Sequence, residues 1–202
     1  MISFPKLLVF SPLIFLSACV SLLPDTGEPP KRLWLEPAMI SSPLRDHNNA
    51  LQTVAISRPT ASSMLDSERL RMRDLRGNIA LTDYIAGIEW QEHLPLMIRR
   101  HLVQALMLSE KFKAVGFEED SFNYAVILET DIRKFDVVLL KEKMYAEIEL
   151  SAKLLDVKRR DIIWQKTFTA KAPLKKHSLD SFIAGLTKAY ETILYQITQD
   201  VN

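Results

Sequence analysis

Cys19 is the one cysteine in the chain and the residue best placed for covalent chemistry. A thiolate is a strong nucleophile, and no other group in this stretch matches it. Leu16, Ser17 and Ala18 precede it, and the small Ser17 and Ala18 let the backbone enter a peptidase cleft. A lone thiol cannot close an internal disulfide, complete a zinc cage or form a CxxC redox pair. Other reactive types are scattered. His47, His93, His101 and His177 make no HExxH pattern and read as solvated or partly buried polar residues. The five glycines fit neither GxGxxG nor a P-loop, and there is no GxSxG elbow. Glu147 and Glu149 read as an outward strand face before they read as a catalytic pair. No catalytic residue, metal ligand or cofactor is assigned.

The residues leading to Cys19 form a secretory leader. Lys6 is the only charged side chain before the cysteine, and Leu7 to Leu16 is an apolar run. A membrane span needs roughly 20 apolar residues. This run is shorter, and Pro12 interrupts it. Leu16-Ser17-Ala18-Cys19 is similar to a bacterial lipobox, in which the cysteine sulfur takes a diacylglyceryl group and the new N-terminus is acylated. Cys19 as an ordinary apolar residue is the alternative. The expectation is a signal peptide over 1–18, cut before Cys19, then a lipidated tether over 19–32 and a domain over 33–202. Val20 stands where an aspartate would favour the inner membrane, which leans the reading to the periplasmic face of the outer membrane.

With 26 Lys plus Arg against 25 Asp plus Glu, the chain has no electrostatic reason to bind nucleic acid. Its 48% hydrophobic content is ample for a core. Short strands are expected at Leu33–Leu35, Leu51–Ser57, Arg69–Arg73 and Asn78–Tyr84, with a loop at 41–49. Apolar residues three or four apart predict a helix over Trp90–Lys111, with Leu94, Met97, Ile98, Leu102, Ala105, Leu106 and Ser109 on one stripe. A second helix is expected from Leu179 to about Gln199, with Ser178 as N-cap. Between them the period switches to two, over 124–133, 145–154 and 162–168, and the last two runs predict an antiparallel hairpin. Lys158-Arg159-Arg160 reads as a soluble turn. Lys171, Lys175, Lys176 and His177 read as a solvated loop, with acidic lipid headgroups as the other reading. Trp90 and Trp164 read as core rather than groove. The expected fold is a two-layer α/β domain, a largely antiparallel sheet with two long amphipathic helices on one face.

The order of these segments resembles the ABC-type transport auxiliary lipoproteins, the lipoprotein components of MCE-type (mammalian cell entry) lipid transport systems of the paraquat-inducible kind. The stretches that carry the resemblance are the lipobox, LWLEP at 33–37, VAISRPTASSMLDSERLRMR at 54–73, LMLSEKFKAVG at 106–116 and YAVILETDIRKFD at 124–136. Gln91-Glu92-His93 departs from the family's shorter apolar link. The resemblance implies a non-enzymatic accessory tethered in the periplasm. Its partners would be a membrane, an MCE-domain protein and ABC transporter subunits, with self-association left open. Two other readings stand beside it: a lipopolysaccharide-assembly type lipoprotein that partners an outer-membrane barrel, and an anchored hydrolase.

Overall fold

The computed structural model describes residues 29–38, 52–77 and 79–201. The expected leader, the lipobox residues Leu16 to Cys19, most of the tether, the loop at 41–49 and His47 lie outside them. In chain order the described elements begin with β1 (Lys31–Leu33), β2 (Thr53–Ile56), β3 (Thr60–Ala61), β4 (Arg69–Asp74) and β5 (Leu81–Trp90). They continue with α1 (Leu94–Leu108), β6 (Ala114–Phe117), β7 (Val126–Leu140), β8 (Lys143–Asp156), β9 (Asp161–Pro173) and α2 (Leu179–Asp200).

β7, β8 and β9 make a long antiparallel meander, of which β8 and β9 are the hairpin expected from the two-residue period, and β7 and β9 each run further than the alternation indicated. The other edge of β7 is filled end to end by β2, β3 and β4, all parallel to it. β6 adds beyond β2 in parallel, β5 pairs antiparallel with β4, and β1 runs parallel to β5. The parallel ladders join β2, β3 and β4 to β7, β6 to β2, and β1 to β5. β5 and β6 are separated by α1 and run in opposite directions.

Both helices lie on one face and share a single core with the sheet. Leu94, Met97, Ile98, Leu102, Ala105, Leu106 and Ser109 of the first expected stripe are all buried. Phe182, Leu186, Ala189, Tyr190, Ile193, Leu194 and Ile197 are buried on α2. They meet Leu128, Ile132, Phe135 and Val137 of β7, Ala146, Ile148 and Leu150 of β8, and Phe168, Ala170 and Ala172 of β9. Each large apolar side chain buried this way contributes on the order of 1.5–3 kcal/mol before entropy is counted. The Ser178 hydroxyl caps α2 by accepting from the Ser181 N–H at 3.4 Å. Gly185 lets α2 approach the loop after β9, since a Cβ there would sit 2.2 Å from Leu174 Cδ2.

Trp90 does not begin the first helix. It ends β5, buried edge-on against Phe135 at 6.0 Å between ring centroids. Pro95 sits in the first turn of α1, where its missing N–H costs nothing, so the helix starts just before it. β5 holds an irregularity between its pairings with Arg69 and Arg71. Gly87 stands there with a φ of 70°, a conformation that favours glycine.

Candidate functional site: an ionic ladder on the open face

The bulge between Ile132 and Lys134 shifts the alternation of β7 by one residue. Phe135 and Val137 then face the helices, so Lys134, Asp136 and Val138 point to the other side of the sheet. Leu70 is buried in the core from β4, which turns Arg71 and Arg73 outward. Ala146 and Ile148 do the same for Glu147 and Glu149 on β8. Register brings these polar residues together. Arg71 lies opposite Asp136, Asp136 opposite Glu147, and Glu147 opposite Lys171.

The result is a continuous chain of ion pairs across four strands. Asp136 is 0% exposed and accepts from Arg71, whose NH2 lies 3.0 Å from Oδ2. Arg73 Nε lies 2.6 Å from the same oxygen, and the Arg73 guanidinium also donates to Glu147. Glu147 is 5% exposed. Lys171 reaches its carboxylate at 3.2 Å and Lys134 at 3.4 Å, while Lys134 also holds Glu149 at 2.8 Å. Burial pushes the Glu147 carboxyl up, but Lys171, Lys134 and Arg73 more than offset this and hold it below the usual range. The bond to Glu149 raises the Lys134 ammonium. With every acid matched by a base, the ladder is a stiff charged plate, and it holds no nucleophile beside a free base. Among the described residues, no group of three His, Cys, Asp or Glu side chains is gathered to hold a metal.

A second polar region lies at the start of α1, a cleft of about 470 Å³ lined by Arg58, His93, Leu96, Arg99, Glu118 and Glu119. Most of its charges are also taken up internally. The buried Arg99 donates to the Ile56 carbonyl at 3.0 and 2.7 Å and to Glu119, whose carboxyl it lowers to about 2. Asp66 engages Arg58 at 2.9 Å and His93 at 3.1 Å.

Residues singled out in the sequence are dispersed over this frame. Glu147 lies on the strand face turned away from the helices, and it is buried inside the ladder because the sheet continues past it on both sides. His101 is buried, 3% exposed, between Trp34 at 5.5 Å and Tyr190 at 5.6 Å, and burial lowers it to about 4. His177 packs edge-on against Phe182 at 5.3 Å. Trp164 is half-buried beside Phe168 at 6.1 Å. Lys175, Lys176 and the Lys158–Arg160 turn are exposed, while Lys171 belongs to the ladder. No sequence signal marks the ladder except the charged positions 134 and 136, which together with 129, 131 and 133 interrupt the apolar residues of the strand.

The profile of one family, described as ABC-type transport auxiliary lipoprotein component, matches residues 35–198. No curated protein matches the sequence. Among solved structures, the chain is similar to protein XCC0632 from Xanthomonas campestris. Identity is 22%, the match covers 84% of this chain and 90% of that one, and the TM-score is 0.66. It is also similar to the hypothetical protein CT253 from Chlamydia trachomatis. There identity is 11%, coverage is 74% of this chain and 96% of that one, and the TM-score is 0.51. At these identities the structural likenesses speak for the fold alone.

Proposed function

The chain belongs to the ABC-type transport auxiliary lipoprotein component family, and from that premise we propose that it is a lipid-anchored, non-enzymatic accessory of an MCE-type lipid transport system. Signal peptidase cuts before Cys19, the thiol takes a diacylglyceryl group, and residues 19–32 tether the domain at 33–202 to the periplasmic face of the outer membrane. Several acyl chains make a stable anchor at about 0.8 kcal/mol per buried methylene, where one chain would be marginal. Its partners are an MCE-domain protein and the subunits of the associated ABC transporter. The sequence has no P-loop, so ATP hydrolysis falls to another subunit. Tethering raises the local concentration of the docking domain for its partner.

The observation that carries this reading is the family match across 35–198. The open face of the sheet supports it, since a rigid plate with its charges internally matched suits docking better than turnover. The test is to crosslink the full-length protein in intact cells and purify it with its adducts. Recovery of an MCE-domain protein is the expected result, with an acyl mass on Cys19 that Cys19→Ser abolishes. Recovery of an outer-membrane barrel instead would transfer the protein to the lipopolysaccharide-assembly class. A free thiol at Cys19 in the mature protein would remove the anchor.

A further inference from the structure

One end of the sheet gathers three connections: β4 to β5, β7 to β8, and β9 to α2. A single row of paired residues crosses it. Leu81 pairs with Asp74, Asp74 with Leu139, and Leu139 with Met144. The Leu174 N–H then donates to the Met144 carbonyl at 3.0 Å. Three apolar side chains stand out here, Ile79 at 73%, Leu81 at 62% and Leu140 at 39% exposed. Around them Lys141, Lys143, Lys175 and Lys176 are exposed, and none of the four forms an ion pair with a described residue. The acids in these connections and at the start of α2 are fewer. Glu142 and Asp180 are exposed, while Asp74 is occupied by Arg76 at 2.6 Å. Apolar side chains in water beside unpaired cations are what an interfacial, anionic surface accommodates.

The path of the chain selects the same end. β1 runs parallel to β5 with Lys31 opposite Ile88, so the chain enters β1 from the side on which β5 begins at Leu81. From Cys19 to Lys31 there are twelve residues, which reach about 40 Å when extended. Ile88 lies seven residues from Leu81, at most about 23 Å along a strand. An anchor at Cys19 therefore has enough chain to let this end meet the bilayer.

We propose that the end bearing Ile79, Leu81 and Leu140 rests on the membrane that holds the anchor. The three apolar side chains enter the headgroup region, and Lys141, Lys143, Lys175 and Lys176 meet the phosphates of anionic phospholipids. This rests on the lipid-anchor reading above. The far end of the meander, with Val157, Ile162 and Ile163 exposed beside Lys158–Arg160, points away from the bilayer. There Asp156 accepts from the Arg159 N–H at 2.8 Å and Asp161 adds a second acid.

The experiment uses the full-length lipidated protein in vesicles of phosphatidylethanolamine with or without phosphatidylglycerol. A polarity-sensitive dye is placed through Leu81→Cys in one sample and Ile163→Cys in another, with Cys19 acylated in both. In phosphatidylglycerol vesicles the dye at 81 is expected to shift to the blue and to be quenched by a headgroup-attached quencher, while the dye at 163 stays aqueous. Replacing all four lysines (Lys141→Glu, Lys143→Glu, Lys175→Glu, Lys176→Glu) abolishes the signal at 81 while flotation and the thermal melt are kept. A surface lysine is worth about fivefold in binding to an anionic leaflet. An aqueous dye at 81 in protein that floats, or a membrane signal at 163 instead, overturns the proposal and leaves the anchor intact. Protein that neither floats nor carries an acyl mass overturns both.

Discussion

Phe135 and Asp136 are consecutive on β7 and nearly equally buried, at 1% and 0% exposed. Phe135 enters a layer where Trp90 and Tyr190 pack edge-on around it, at 6.0 and 5.8 Å. Asp136 enters a layer of arginine, lysine and glutamate. The helix-side face is closed by apolar contact, which is non-directional and tolerates repacking. The open face is closed by charge, which needs each partner in place. One strand therefore supports two kinds of interior, and the two should fail differently.

The largest effects come from emptying either side. Phe135→Ala should cost about 3–5 kcal/mol by leaving a cavity. Asp136→Ala should cost about 3–5 kcal/mol, because Arg71 would keep a buried charge without its counter-ion and Arg73 would lose one of its two. The contrast lies in the rescue. Replacing Arg71, Arg73 and Asp136 together by apolar residues of similar volume should return most of the stability in urea melts, whereas no charge substitution should rescue Phe135→Ala. If the triple variant is as unstable as Asp136→Ala alone, the two faces do not differ as described.

A smaller effect separates the faces by pH. His101 is depressed to about 4 by burial on the helix side. An unfolded chain would protonate it near 6.5. Stability is therefore full above about 6.5 and falls as the pH drops toward 4, where the loss is complete. Urea melts should show the protein about 2 kcal/mol less stable at pH 5 than at pH 7, and His101→Phe should flatten that window. Glu147 is also lowered, so its contribution starts to fall only as the pH drops below its ordinary value of 4.5, which leaves the window between pH 5 and 7 to His101. The smallest effect lies at the exposed margin of the open face, where Lys153 meets Glu129 at 2.7 Å. Lys153→Ala should change stability by less than about 1 kcal/mol, and less again in high salt.

The sequence shows the helix-side face far better than the open one. The stripes on α1 and α2 and the β8–β9 hairpin were legible from period, because burial against one layer imposes a regular spacing, and the cap at Ser178 was legible from its residue type. The β7 strand was read only to Arg133. The bulge there moves the apolar set from even to odd positions, and a fixed period of two cannot follow it. Trp90 was assigned to the helix because its apolar character suits either element, and only the pairing of Leu33 beside it decides. Glu147 was read as part of an outward strand face, and a glutamate on such a face is usually solvated. What buries it are Arg73 and Lys171, which approach from strands 74 and 24 residues away in the chain. No local pattern could announce them.

β1 meets β5 through three register pairs and runs in the same direction, and beyond it the Ala38 N–H donates to Glu191 of α2 at 2.8 Å. A pull on the N-terminus along the strand would load those pairs together, in shear, rather than peel them apart one after another. Traction from that side would then be shared among β1, the sheet border and the clasp at Glu191, so the seam between leash and body is built to bear tension.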